Sequence, residues 1–303
     1  MKGENSLKIS VCCTVKNEEA SIKEFLESML NQSRLPDEII IVDGGSKDRT
    51  VNIIQAYQKC YSGLIRLILA PGANIAKGRN IGIKEAKYDY IASADAGTEY
   101  DRNWLRNLSE KFEKEPDADI VSGFFKAKTE NLYEECVGML LYPNPDIMKW
   151  DKFLPSARSV AFKKKVWKDL GGYAEWLPRG IGEDSHFFLR ALNKGYKFAH
   201  AKNAVCYWRP RSNLIKLFKQ YFLYSRSAVV GGFSKTFLFQ AYGNNPVFFT
   251  FKNFVRYLQE RKILHLVLSI LILTTVISAK ISGTIIGMMQ KAIFAYKLEG
   301  VEK

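Results

Sequence analysis

Acidic residues are scarce where basic ones gather. After Pro210 the residues Arg211, Lys216, Lys219, Arg226, Lys235, Lys252, Arg256, Arg261 and Lys262 meet almost no acid, only Glu260 before an apolar run and Glu299 and Glu302 at the end. The whole chain carries a formal charge of +14, a field that attracts polyanions. No helix-turn-helix, zinc or RNP-type pattern accompanies that charge, which argues against a nucleic-acid partner. The basic residues are instead interleaved with Phe, Tyr, Leu and Ile, as in a segment lying on an anionic membrane surface. The cysteines Cys12, Cys13, Cys60, Cys136 and Cys206 are odd in number and lack CxxC spacing, so neither a disulfide framework nor a zinc site is expected, and a reducing compartment fits. The opening MKGENSLKIS has no apolar h-region, so no signal peptide is expected there. Internal repeats and low-complexity tracts are also missing. What is present is a composition of 47% hydrophobic and 25% charged residues over 303 positions, that of a folded chain long enough for one large α/β domain plus an appendage or for two modest domains.

The first half alternates short apolar runs with helical patterns, the signature of a parallel sheet covered by helices. Strands are expected over 7–15, 38–43, 64–70 and 88–95. Ile22, Phe25, Leu26, Met29 and Leu30 fall at three- and four-residue steps within a helix over 18–31. A second helix follows Ser46, read as its N-cap, and a third starts near Lys77. Further strands are expected over 118–125, 159–162 and 204–208, helices over 163–170 and 182–193, and a helix or helical loop over 129–142. Pro and Asn mark 142–155 as irregular. Residues 263–279 are a 17-residue run without formal charge, just short of the about 20 that span a hydrocarbon core. A second apolar stretch, 281–296, follows, so the two read as a re-entrant pair or as one span and an interfacial helix. A buried helix of a soluble domain is the plainer alternative.

Four constellations could carry chemistry. Asp43 ends a parallel strand, where loops open into the crevice above a sheet; Gly44 and Gly45 after it allow close backbone approach. The plain alternative is a turn-forming Asp. Asp95 has the same position on the fourth strand, where one carboxylate among small residues suits Mg²⁺ or Mn²⁺ on a diphosphate; again a turn role is the alternative. Lys77 and Arg79 open a helix, a place that favours anions, or form a solvated pair. Glu183 and Asp184 open another helix, either complementing its dipole or supplying a general base.

Together these pieces resemble glycosyltransferase family 2, the inverting enzymes of GT-A fold. The resemblance rests on VKNEE at 15–19, VDGGSKDRT at 42–50, GRNIGIKEA at 78–86, SADAGTEYDRNWL at 93–105 and GED at 182–184, and extends more weakly over WRPRSNLIKLFKQYFLYSRS at 208–227. It implies an α/β GT-A domain over 1–210, with a mostly parallel sheet and helices on both faces. The basic, aromatic and apolar region 211–303 would be membrane-associated, with a transmembrane helix over 263–279. By the same resemblance Val15, Asn17, Glu18, Asp43 and Arg79 line the nucleotide pocket, with Ser93 and Ala94 beside Asp95. Asp95 holds a divalent cation (Mg²⁺ or Mn²⁺), Asp184 is the catalytic base, and Glu183, Arg209 and Arg211 are further phosphate or acceptor contacts. The implied reaction is transfer of a sugar from a UDP- or GDP-sugar to a hydroxyl of a glycan or lipid-linked acceptor, on the cytoplasmic side of the cell membrane. One departure matters: Gly97 stands where most members carry a second carboxylate, as in DAG variants of the motif, which leaves Asp95 with help from Glu99 through water. The alternatives are a nucleotide-sugar-binding protein without transfer, for which Gly97 is the hint, and a nucleotidyltransferase, against which VKNEE offers no glycine for a phosphate loop.

Overall fold

The computed structural model describes residues 7–145, 148–233, 255–260 and 262–299; Lys235, Lys252, Arg261 and Glu302 of the basic region lie outside them. The chain divides into two compact units. The first comprises residues 1–126, 155–175 and 183–208, the second 127–154, 176–182 and 209–303.

The first unit holds the sheet. Its strands are β1 (Ile9–Val15), β2 (Glu38–Asp43), β3 (Ile65–Leu69), β4 (Tyr90–Asp95), β5 (Thr98–Tyr100), β6 (Ile120–Ala127), β7 (Val160–Lys163) and β8 (Phe198–Trp208), ordered β3-β2-β1-β4-β7-β6-β8-β5. Strand β2, EIIIVD, is buried at every position, the continuous apolar reading of a parallel strand covered on both faces. Pairing is parallel from β3 through β4, as expected. Beyond β4 the sheet becomes mixed: β7 runs antiparallel to β4 and β6, and β5 antiparallel to β8. The cause lies in the connection, because the chain between β6 and β7 packs in the second unit instead of crossing over the sheet as a parallel neighbour requires.

Helices α1 (Ile22–Leu30), α2 (Thr50–Cys60), α3 (Ile75–Glu85), α4 (Trp104–Lys114), α6 (Lys164–Asp169) and α7 (Glu183–Asn193) belong to this unit; α5 (Leu132–Leu141) lies in the other. In α1 the buried residues are Ile22, Phe25, Leu26 and Met29, one face at helical spacing. Ser46 does not cap α2. The N-cap is Arg49, and the side chain of Asp48 accepts from the Thr50 amide at 3.0 Å, because the Ser46 hydroxyl is taken by Asp43, three residues back. Helix α3 begins two residues before Lys77, where the Asn74 side chain accepts from the Lys77 amide.

The second unit is helical. Cys136, Val137 and Leu140 of α5 pack with Leu217 of α8 (Leu214–Val230) and with Ile272 and Val276 of α9 (Ile263–Glu299). Residues 127–154 therefore share a core with the C-terminal helices, although a boundary near 210 assigned them to the sheet domain. The two apolar stretches 263–279 and 281–296 form one continuous helix, correcting the expected break. Lys280 between them does not interrupt it: its ammonium lies 5.7 Å from the centre of the Tyr221 ring on α8. Close approach of α8 and α9 needs glycine, since a Cβ at Gly283 would stand 2.3 Å from the Phe222 carbonyl oxygen.

Candidate active site

Parallel register sets the first carboxylates. Val15 pairs with Asp43 on one side of β1 and Thr14 with Asp95 on the other, so both aspartates stand at carboxyl ends of neighbouring strands, beside the crevice such sheets offer to ligands. Asp43 is buried. Its Oδ2 accepts from the amides of Gly45 at 2.9 Å and Ser46 at 3.0 Å, and its Oδ1 from the Ser46 hydroxyl at 2.5 Å. The turn-forming role is thus real, and a carboxylate with about four lone-pair sites retains acceptor capacity beside it. Gly44 is required by close approach, because a Cβ there would lie 2.8 Å from the Ala73 carbonyl oxygen. The loop after β1 zips onto this turn. Asn17, at φ 55°, donates its amide to Ser46 Oγ at 2.8 Å and accepts from the Lys47 amide at 2.8 Å, while the Glu18 amide donates to Thr50 Oγ1 at 2.8 Å.

Arg79 reaches the strand ends because α3 lies tight on β1: a Cβ at Gly78 would stand 2.3 Å from Thr14 Cγ2. The buried guanidinium donates from Nη2 to Asp95 Oδ1 at 2.6 Å, approaches Ser93 Oγ at 3.4 Å, and pairs through Nε with Glu183 Oε1 at 3.4 Å. Burial opposes its charge, but Asp95 and Glu183 hold the proton on more firmly than usual. Burial also pushes the Glu183 carboxyl up, to about 8, with Arg79 working the other way and Asp184 and Asp95 adding to the rise.

Asp184, one residue further into α7, points at a different group. Its Oδ2 accepts from the Ala157 amide at 3.2 Å and the Ser156 hydroxyl at 3.4 Å, and its Oδ1 from the Ser185 amide at 2.7 Å. Asp95, Arg79, Glu183 and Asp184 therefore belong to one connected site in the first unit. Two of its groups were not foreseen: Arg158, whose Nε lies 3.8 Å from Asp95 Oδ2, and Tyr173, whose ring lies under Arg79 at 5.9 Å. The signal available for Arg158 was its place in SARS, immediately before β7. Arg209 and Arg211 fall in the second unit. There Arg209 pairs with Glu130 at 2.5 Å and Arg211 Nε donates to Gln220 Oε1 at 3.2 Å.

Residues 10–158 match the family model described as glycosyl transferase family 2. That segment, just under half of the chain, is similar to glycosyltransferase family 2 domains. Among curated proteins, a probable glycosyltransferase YdaM of Bacillus subtilis is 25% identical over 256 residues, covering 74% of this chain and 60% of its own length. A poly-beta-1,6-N-acetyl-D-glucosamine synthase of Staphylococcus epidermidis is 26% identical over 219 residues, covering 70% and 52%; the chain thus spans only part of either relative. Among solved structures, the mannosyltransferase PcManGT of Pyrobaculum calidifontis in complex with GDP-Man and Mn²⁺ aligns with a TM-score of 0.58 at 17% identity, over 97% of this chain and 81% of that one. S. aureus TarS 1-349 in complex with UDP-GlcNAc aligns at 0.54 and 16% identity, over 77% and 74%. These likenesses establish the GT-A-type fold.

Family 2 chemistry raises the question of a divalent cation. Among the described residues no group of three His, Cys, Asp or Glu side chains could hold one by itself. The donor chemistry nonetheless fits. Asp95, 27% exposed, offers a hard oxygen donor of the kind Mg²⁺ and Mn²⁺ take with phosphate and water, and Gly97 leaves room beside it, since a Cβ there would meet nothing nearer than Glu18 Oε2 at 3.9 Å. Glu99, the expected helper, sits in β5 opposite Tyr207.

Proposed function

We propose that this protein is an inverting glycosyltransferase, moving a sugar from a UDP- or GDP-sugar to a hydroxyl of a glycan or lipid-linked acceptor at a membrane. The observation that carries the reading is the disposition of Asp184: a carboxylate at a helix start, held by Ala157 and Ser185 amides, joined through residues 156–158 to the Asp95–Arg79 pair. The nucleotide lies along Val15, Asn17, Glu18, Asp43 and Arg79, with Ser93, Ala94 and Asp95 beneath the diphosphate. Asp184 takes the proton of the attacking hydroxyl as its oxygen bonds to the anomeric carbon. The nucleoside diphosphate leaves from the opposite side, so one displacement inverts the configuration, and Arg79 offsets the charge that develops on the leaving group. Asp95 would hold a divalent cation on the diphosphate, which would supply further charge neutralisation. The mannosyltransferase and TarS complexes, with GDP-Man and UDP-GlcNAc respectively, support a nucleotide-sugar donor. The membrane setting is supported by α9, which is long and apolar enough to cross a bilayer.

The test is a screen of UDP- and GDP-sugars for nucleoside diphosphate release, with Mn²⁺ and a membrane lipid extract as acceptor, and NMR of the product's anomeric configuration. Release that depends on the extract and an inverted product are expected. Absence of release with every donor, or a retained configuration, overturns the reading.

A further inference from the structure

The lone carboxylate at the end of β4 has a second cation beside it. Arg158 is 13% exposed and its Nε lies 3.8 Å from Asp95 Oδ2, while Arg79 occupies the other oxygen at 2.6 Å. The guanidinium carbon sits 3.7 Å from the centre of the Trp208 ring and 5.2 Å from that of Phe125, so the planar head stacks on one aromatic ring beside another. Nη1 donates to Ser156 Oγ at 3.0 Å. The backbone is pinned as well: the Arg158 carbonyl accepts from the Tyr100 hydroxyl at 2.8 Å, and next to it Ser159 Oγ donates to the Ala204 carbonyl at 3.0 Å and accepts from Trp104 Nε1 at 2.8 Å. A guanidinium fixed in this way has lost most of its rotamer freedom before any ligand arrives, and its fork of donors matches phosphate oxygens.

Position gives this cation its meaning. Residues 156–158 touch both carboxylates: the Arg158 side chain faces Asp95, and the Ala157 amide and Ser156 hydroxyl hold Asp184. The guanidinium therefore stands between the Asp95 carboxylate and Ser156, whose hydroxyl reaches Asp184. Gly97 removes one carboxylate from the Asp95 end, and with it one ligand for a metal, so a larger share of the diphosphate's charge falls to protein cations.

We propose that Arg158 binds the β-phosphate of the nucleoside diphosphate, acting with Arg79 on the charge that the reaction releases. This rests on the donor-site reading above. Calorimetric titration of the full chain with UDP, GDP, UMP and GMP, in Mn²⁺ and in EDTA, separates the two claims. For whichever base the wild type binds, Arg158→Gln should weaken the diphosphate by at least about tenfold and the monophosphate by less than about twofold. The difference should be larger in EDTA, and Arg158→Lys should recover part of it, with thermal melts establishing that each variant is folded. Equal affinity of Arg158→Gln and wild type for the diphosphate overturns the assignment. So does an equal loss for the monophosphate, the mark of a merely structural residue. If Arg158→Gln does not fold, Arg158→Lys carries the test: diphosphate affinity equal to wild type overturns the assignment, and a loss confined to the diphosphate supports it. Wild-type protein that binds no nucleotide overturns the donor-site reading and this one with it.

Discussion

At the scale of single residues, Glu183 and Asp184 are neighbours in sequence with opposite surroundings. Asp184 accepts from two backbone amides and stands beside the loop at 156–158; Glu183 is buried against Arg79. Asp184→Asn should lower transfer by at least about a hundredfold and leave nucleotide affinity nearly unchanged; undiminished turnover overturns the base assignment. An asparagine has one oxygen for two amide donors, so a stability loss of about 1 kcal/mol should accompany it in urea unfolding. Glu183 makes a different prediction. Its folded-state value of about 8 lies above the ordinary 4.5, so the folded protein binds that proton more tightly than the unfolded chain. The stability this contributes is complete below pH 4.5 and is lost as the pH rises through about 8. Glu183→Gln removes the titration, and its melting temperature relative to wild type should climb across that window; a difference independent of pH would refute it. The acids were legible in the sequence because strand ends and helix starts can be read from local pattern. Arg158 was not, since its partners Asp95 and Trp208 are brought to it by β7 and β8, through antiparallel pairings between distant segments.

At the scale of elements, local periodicity was a good guide wherever one face decides the structure. Strands β1, β2 and β4 and helix α1 fall where their apolar spacing puts them. Strand β5 has no counterpart among the expected elements, because three residues carry no period and it exists through pairing with β8. Nor was the mixed half of the sheet legible: strand direction depends on where the connections pack, and the segment between β6 and β7 takes its core from α8 and α9. The docking of α3 on β1 can be tested directly. Gly78→Ala places a Cβ 2.3 Å from Thr14 Cγ2 and 2.9 Å from its Oγ1, an overpacking that costs about 1–3 kcal/mol, set against a helix-propensity gain of about 1 kcal/mol. Because Arg79 follows at once, nucleotide affinity should fall together with stability. Thr14→Ala removes both contacting atoms, so the double variant should recover more than the sum of the single effects predicts. Strict additivity in urea unfolding would show that the contact does not govern the docking.

For the whole molecule, the question is what covers α9. At 37 residues the helix is about 55 Å long, well beyond the about 30 Å of a hydrocarbon core, so a spanning helix would extend past it at one end or both. Within the second unit, one side of α9 is occupied by α5 and α8, with Ile272, Val276 and Ala279 buried. Leu271, Ile277, Ile281 and Ile285 remain about half exposed, more apolar surface on one broad face than a soluble protein ordinarily leaves open. Lys280 fits the same division, since its ammonium lies near Tyr221 on the α8 side. Deleting the helix would uncover the apolar faces of α5 and α8 and confound any localisation experiment. Exposed positions give a cleaner test. Ile270 is 46% and Ile277 54% exposed, so replacing both with Lys should barely disturb packing within the unit, whereas each Lys near a bilayer centre costs about 2.5–3.5 kcal/mol on the insertion scale. The wild type should stay in the membrane pellet through high salt and alkaline carbonate, and the double variant should move to the supernatant while melting at nearly the wild-type temperature. If both proteins pellet alike, lipid does not cover this face, and the basic stretch after Pro210 becomes the element to examine by neutralising Lys216 and Lys219, two exposed residues of α8.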